Sequence, residues 1–337
     1  MTRIPVDQLS TIMHAALAAR GLSRDHAEFV VDGLIQASLR GTDTHGVRLF
    51  PVYLEELDGG RARAHPVLAW SPAGAGGKRL DAGGALGLVA GMIATREAIT
   101  LARAQGIAAV SVVGSNHFGA ASTYTIEIAR AGQIGICLSN ADKLMAPFEG
   151  MRPLFGTNPL SIAALGHGDE LFCLDMATSQ VSYSQVKARL ARGEPLPPGW
   201  AVRADGSDAV GATTADEVSA LQPLGGYKGA GLGMAITMLT ALLGDMPLDQ
   251  ELSHFYAEPF DTPRTISHLM IAIDVAGFVA PDVFRRRLTE YLRFVRREPG
   301  TVKAPGDLEG ASMRDRTANG IPLSAEELAR FRTLGLR

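Results

Sequence analysis

The sequence predicts an α/β protein in which helices cover a sheet, preceded by a mainly helical N-terminal segment. Apolar residues recur at helical spacing through the first seventy residues, and from about Leu80 β-branched runs alternate with helical stretches. Leu9, Ile12, Met13, Ala16 and Leu17 mark a first helix that stops at Gly21. Ser23 caps a second, with Ala27, Val30, Val31, Leu34 and Ile35 as its apolar stripe; Ser38 interrupts the stripe and Gly41 ends the helix. A loop over 41–47 leads to an amphipathic stretch over 49–57. The Gly/Ala/Pro-rich segment 71–77 is the expected linker between a helical unit (1–75) and a sheet-bearing unit (76–279).

In that second unit, 87–105 is expected as a helix ended by Gly106, 107–113 as a buried strand, and 120–131 as a helix closed by Gly132. Strands are expected over 134–138, 171–176 and 268–274, and an apolar helix over 231–243. A basic-faced helix over 281–297 follows. A last helix over 324–334 has Ser324 as cap and Glu327 three residues later.

A composition of 46% hydrophobic and 20% charged residues is that of a soluble globular protein, and 337 residues suffice for two units. The net charge of −3 gives nucleic-acid binding no support. Met1-Thr2-Arg3-Ile4-Pro5 lacks a signal-peptide apolar stretch and no run reaches membrane-spanning length, so a cytoplasmic protein without a membrane partner is expected. Cys137 and Cys173 lie in apolar strand-like runs and are expected as buried reduced thiols.

Two segments carry the chemistry. Gly41-Thr42-Asp43-Thr44-His45-Gly46-Val47 and Ser115-Asn116-His117-Phe118-Gly119-Ala120 each set a histidine among small residues where the periodicity breaks. Imidazole titrates near neutrality, as proton transfer requires, although a turn histidine is the plainer alternative for each. His117 stands between a strand and a helix, where free N–H groups can seat a phosphate or carboxylate. Phe155-Gly156-Thr157-Asn158-Pro159 clusters small polar groups, and Asp175-Met176-Ala177-Thr178-Ser179 ends a strand. Gly225-Gly226-Tyr227-Lys228-Gly229 places one lysine in a glycine-rich loop before a helix at Gly231, in the manner of a phosphate cradle. Neither G-x-G-x-x-G nor the P-loop pattern occurs, and there is no nucleophile elbow. His14, His26, His65, His167, His254 and His268 show no metal-ligand spacing and are expected as structural or surface residues, with no metal site.

Together these motifs resemble the type-2 malate/L-lactate dehydrogenase family, almost end to end. The match runs from Leu39-Arg40-Gly41 and His45-Gly46-Val47 through Asn116-His117-Phe118-Gly119-Ala120, Met145-Ala146-Pro147-Phe148 and Gly156-Thr157-Asn158-Pro159. It continues through Asp175-Met176-Ala177-Thr178-Ser179, Gly193-Glu194-Pro195-Leu196, Pro223 to Gly229, Ala272-Ile273-Asp274 and Pro305-Gly306. The resemblance implies a non-Rossmann, three-layer α/β/α mixed-sheet domain that binds NAD or NADP. Beside it would stand a mainly helical domain, completed by about 280–337, in a homodimer. It implies hydride transfer between the nicotinamide and a small 2-oxo/2-hydroxy carboxylate, with His45 as proton donor or acceptor. Dinucleotide contacts are implied for His117, Phe118, Gly119, Ala120, Asp175, Met176, Ala177, Gly226, Lys228, Pro305 and Gly306. An acid/base role for His117 is the alternative the family offers.

The departures fall on the catalytic side. Thr44 stands where the family has serine, Leu49 where a substrate-binding arginine is common (Arg48 is one place earlier), and Ser184-Gln185 where it has Gly-Lys. In some members that lysine takes part in a proton relay with the serine and histidine; Gln185 can hydrogen-bond there but cannot carry the charge. Asn140-Ala141-Asp142-Lys143 replaces Asn-Ser-x-Pro, so Lys143 or Arg48 is a candidate replacement cation, with Thr157 as a further substrate contact. The alternative for Lys143 is a solvated loop lysine. Two rival functions remain: reduction of a cyclic or N-substituted 2-imino acid, and a catalytically altered dinucleotide-binding protein.

Overall fold

The computed structural model describes residues 1–336. Strand β1 (Thr2–Ile4) is followed by helices α1 (Val6–Ala18), α2 (Arg24–Leu39) and α3 (Phe50–Gly59). Ser23 caps α2 by accepting from the His26 amide, and Gly60, at φ +86°, ends α3. Next come β2 (Ala69–Pro72), β3 (Gly77–Asp81), α4 (Gly87–Gln105), β4 (Ile107–Ser115), α5 (Ser122–Arg130) and β5 (Gln133–Ser139). The chain continues through β6 (Leu160–Leu165), β7 (Leu171–Met176), α6 (Tyr183–Ala191), β8 (Ala201–Val202), β9 (Ala220–Leu221) and α7 (Tyr227–Thr237). It closes with β10 (Ile266–Asp274), α8 (Pro281–Arg296), α9 (Asp307–Asn319), β11 (Ile321–Leu323) and α10 (Ala325–Thr333).

Seven strands form one mixed sheet in the order β2-β3-β4-β10-β5-β6-β7. Only β3 and β4 pair in parallel; the other neighbours are antiparallel. β10 lies at the centre and is apolar along nearly all its length because both of its faces are covered. Its even residues Met270 and Ala272 join Val110, Val112 and Cys137 in the core beneath α4 and α5. Its odd residues Leu269 and Ile271 pack with Leu138 against Leu232 and Ile236 of α7. This alternation produces the three layers, with helices on each side of a mixed sheet. The first core is continuous with the N-terminal helices, taking in Leu9, Met13, Val30, Leu34, Phe50 and Tyr53. β1 pairs antiparallel with β11, so the two ends of the chain meet.

Three expectations change. Residues 71–77 are not a linker: β2 and β3 form an antiparallel hairpin, with the Ala73 amide donating to the Gly77 carbonyl at 3.0 Å and Gly74 at φ +88°. The sheet therefore begins at Ala69, before residue 76. The helix expected from Gly231 starts earlier, at Tyr227, which places Lys228 in its first turn rather than in a loop ahead of it. It then continues into a wider helical turn, Met238–Leu242.

Candidate active site

α2 ends at Leu39, and Gly41, at φ +83°, reverses the chain into a tight turn over 43–45. A Cβ on Gly46 would lie 2.1 Å from the Ser38 hydroxyl, which accepts the Val47 amide at 2.9 Å. Only glycine permits that approach. From the other end of the chain, Arg316 of α9 grips both carboxylate oxygens of Asp43, with Nη2 to Oδ2 at 3.0 Å, and also donates to the Ser38 carbonyl. The turn presents His45 with Nδ1 2.9 Å from the Thr44 hydroxyl.

His117 is presented by the junction between β4 and α5. Its neighbour Asn116 is fully buried and donates to the carbonyls of Arg61, Gly84 and Ala85. Gly87 packs so closely that a Cβ would sit 2.3 Å from the Asn116 carbonyl and 2.4 Å from that of His117. The His117 Nδ1 lies 2.7 Å from the Tyr53 hydroxyl and 3.4 Å from the Gly119 amide. The amide can only donate, so Nδ1 is assigned as the acceptor and the proton of the neutral ring to Nε2. The two imidazoles stack, with centroids 5.6 Å apart, and Phe255 packs on His117 at 4.5 Å.

Both rings line a cavity of about 420 Å³. Of the residues expected at the site, Thr44, His45, His117, Phe118, Gly119, Ala120, Thr157, Asp175, Met176, Ala177 and Gln185 line it. Arg48, Lys143, Gly226, Lys228, Pro305 and Gly306 do not. Lys143 is exposed between the lining residues Asp142 and Leu144, and Asp142 pairs with Arg264. Arg48 is half-buried behind the lining residue Leu49. Gly226 and Lys228 begin α7, which abuts the end of β7: the Leu224 amide donates to the Thr178 carbonyl at 2.9 Å. Pro305 accepts the Cys173 amide of β7 at 3.1 Å, and Gly306, at φ +102°, caps α9. Ser122, the first residue of α5, donates its amide to Asp175 Oδ2 at 2.9 Å. Three helix N-termini thus converge on β7.

Enclosure by protein holds the His45 pKa below its usual 6.5; the Asp175 carboxylate opposes this and Arg48 adds to it. His117 lies well below 6.5, first through desolvation and then through His45, Arg264 and His268. Asp175 is raised, chiefly by desolvation, although it stays open to water through the cavity. His268, expected to be structural, is buried between the Ser139 and Ser115 hydroxyls, and burial lowers it to about 3. It stacks on Phe118 at 4.4 Å and holds that ring in place. Cys137 and Cys173 are free thiols and buried.

Several lining residues had no motif to reveal them. His254, expected to be structural or on the surface, lines the cavity together with Phe255 and Tyr256. Arg264 and Lys187 line it too, and Tyr53 reaches the site through His117.

A family model described as malate/L-lactate dehydrogenase matches residues 4–332. The chain is 32% identical over 328 residues to a ureidoglycolate dehydrogenase (NAD(+)) of Escherichia coli O157:H7, covering 95% of this chain and 92% of that protein. It is 33% identical over 317 residues to a (2R)-3-sulfolactate dehydrogenase (NADP(+)) of Chromohalobacter salexigens, covering 93% and 92%. Among solved structures, delta1-piperideine-2-carboxylate reductase from Pseudomonas syringae pvar. tomato superposes with a TM-score of 0.89 at 27% identity, over 99% of this chain and 100% of that one. With fold, motif order and near-complete coverage in agreement, the chain belongs to the malate/L-lactate dehydrogenase family.

Proposed function

We propose that this protein is an NAD- or NADP-dependent oxidoreductase that moves a hydride between nicotinamide and a small 2-oxo/2-hydroxy carboxylate. The observation that carries the reading is the stacked His45–His117 pair on the wall of a cavity bounded by β7. The relatives' names, one an NAD(+) enzyme and one an NADP(+) enzyme, support a nicotinamide dinucleotide. So does the N-terminus of α7, whose first turn has no acidic residue and carries Lys228, since first-turn amides and one lysine suit a phosphate group. Gly225 and Gly226, at φ +58° and +68°, shape the start of α7 beside Lys228. Asp175 to Ala177, His117 to Ala120 and the Pro305-Gly306 turn are the other proposed contacts.

The bound nicotinamide supplies or accepts the hydride. His45 gives a proton to the oxygen as negative charge develops there, and takes it back in the reverse direction. Thr44 orients the ring through Nδ1, and Asp175 favours its charged form. His117, held by Tyr53, presents Nε2–H as a hydrogen-bond donor. Thr157 and Gln185 add polar contacts from the lining.

The test is a fluorescence titration with NADH and NADPH, alongside Lys228→Ala. Lys228 is exposed in the first turn of α7, so the substitution leaves the core intact. We expect saturable binding of one dinucleotide, weakened about tenfold by loss of one charge-assisted contact. Turnover is then measured on 2-oxo acids with and without amines. Faster turnover with amine would favour the imino-acid reading, for which the similarity to the piperideine-2-carboxylate reductase is the motive. Binding without turnover across the panel would favour a dinucleotide-binding protein, and no binding at all would sink the proposal.

We also propose that residues 1–68 and 280–336 form one helical unit beside an α/β unit that begins with β2, since β1–β11 pairing and the Arg316–Asp43 ion pair join the two ends. A homodimer is expected. α7 and the turn after it expose Tyr227, Met234, Met238, Leu242 and Leu243, an apolar surface suited to a second copy. Sedimentation equilibrium should return twice the 35.6 kDa chain mass, and Met238→Glu should shift it toward the monomer. A monomeric wild-type protein would refute the dimer.

A further inference from the structure

We infer that Arg264 holds the carboxylate of the substrate. The inference rests on the hydride-transfer reading above. Aligning a 2-oxo acid for transfer needs a fixed cation at its carboxylate, and residues 49 and 185 are leucine and glutamine. Arg48 and Lys143 lie outside the cavity lining, which leaves Arg40, Lys187 and Arg264 as its cations other than histidine.

Their settings separate them. Arg40 faces the β7 wall, where the Asp175 carboxylate is close enough for each charge to act on the other. Lys187 is exposed, its ammonium 5.1 Å from the Tyr183 ring centroid and 5.2 Å from that of Tyr256. Arg264 is 2% exposed and stands beside the imidazoles: its guanidinium is 5.4 Å from the Phe255 ring, which packs on His117.

Arg264 is also rigidly held. Its backbone amide donates to Asn116 Oδ1 at 3.2 Å, so one buried asparagine fixes both residue 264 and the start of the His117 turn. Nε and Nη2 donate to the Ser253 carbonyl at 3.2 and 3.0 Å, and Nη2 also to Asp142 Oδ1. Among the described residues Nη1 makes no hydrogen bond, which leaves two N–H donors for an anion in the cavity. Asp142 is then the counter-ion that keeps the guanidinium in place, while Nη1 meets the substrate. The carboxylate sits at the Phe255 end and the reacting carbonyl points toward the two rings.

The probe is oxamate, an unreactive analogue of a 2-oxo acid, titrated into the NAD(P)H-loaded protein. Oxamide, which has the same shape without the charge, is the control. The wild-type protein should bind oxamate and not oxamide. Arg264→Gln should weaken oxamate by about thirtyfold or more, with Arg264→Lys in between and dinucleotide binding unchanged. Lys187→Met should leave oxamate binding within about threefold, the range of a surface charge contribution. If Arg264→Gln does not fold, the pair Asp142→Asn/Arg264→Gln removes both charges without stranding a buried one, and the same loss is expected. Oxamate binding that survives either variant, that is lost with Lys187→Met instead, or that is absent from the wild-type protein overturns the assignment. Oxamate binding that obeys this pattern without turnover of any substrate supports it and refutes only the hydride-transfer reading.

Discussion

His45→Gln should slow reduction of a 2-oxo acid by about 10²- to 10⁴-fold, the range expected when a positioned proton donor is removed. Glutamine keeps a polar side chain beside Thr44, so dinucleotide binding should change little. The pH profile gives the sharper test. Reduction needs protonated His45, and enclosure holds its pKa below 6.5 in the free protein. Reductive kcat/KM should therefore fall as pH rises through that lowered value. Oxidation needs the neutral ring, so its kcat/KM should rise through the same value and level off above it. His45→Gln should abolish both limbs. If His117 is the proton donor instead, His117→Gln will remove them and His45→Gln will not. His45 is favoured as donor because it stands at the position that the family resemblance gives to the proton donor.

Local pattern made much of this architecture legible. Central strand β10 is nearly all apolar, and α4 is framed by Gly87 and Gly106, so both stood out. The parts that did not stand out lack such a local signature. α9 buries no residue fully, so no apolar stripe marks it. The edge strand β2 is exposed throughout, and with the glycines beyond it the hairpin resembled a linker. β6, with Ile162 as its one β-branched residue, and α6, with one buried residue, carried too little pattern to register.

The site divides along the same line. His45, His117 and Asp175 sit in contiguous motifs at element junctions, where sequence alone marks them. Tyr53 reaches His117 across 64 residues and Arg264 reaches Asp142 across 122. Such partners are set by the folding of the chain and leave no spacing to read. The departures at Leu49 and Gln185 pointed to a missing charge. The cation now proposed for it stands on the segment before β10, where no motif drew attention.

Glu56→Gln should stabilise the protein by about 3 kcal/mol above pH 7, by about 1 kcal/mol at pH 5 and by almost nothing below pH 4. Glu56, on α3, is fully buried, and neither carboxylate oxygen has a hydrogen-bond partner among the described residues. Arg61 Nη1 is 3.8 Å away, too far for a bond, and donates instead to the Phe255 carbonyl. Desolvation therefore outweighs Arg264 and Arg61 and raises the carboxyl from 4.5 to about 7. Because the folded value is the higher one, the folded state binds the extra proton. That contribution to stability is complete below the unfolded value of 4.5 and is lost as pH rises through about 7. Urea unfolding of both proteins from pH 5 to 8.5 isolates the effect, since the buried histidines contribute equally to each and cancel in the difference. A gap that widens from pH 5 to about 7 and levels off above it is expected. Parallel curves would mean that Arg61 keeps Glu56 ionised throughout. Tyr53, one turn away on α3, would then face a permanent negative charge, which would further favour its hydroxyl as the donor to His117.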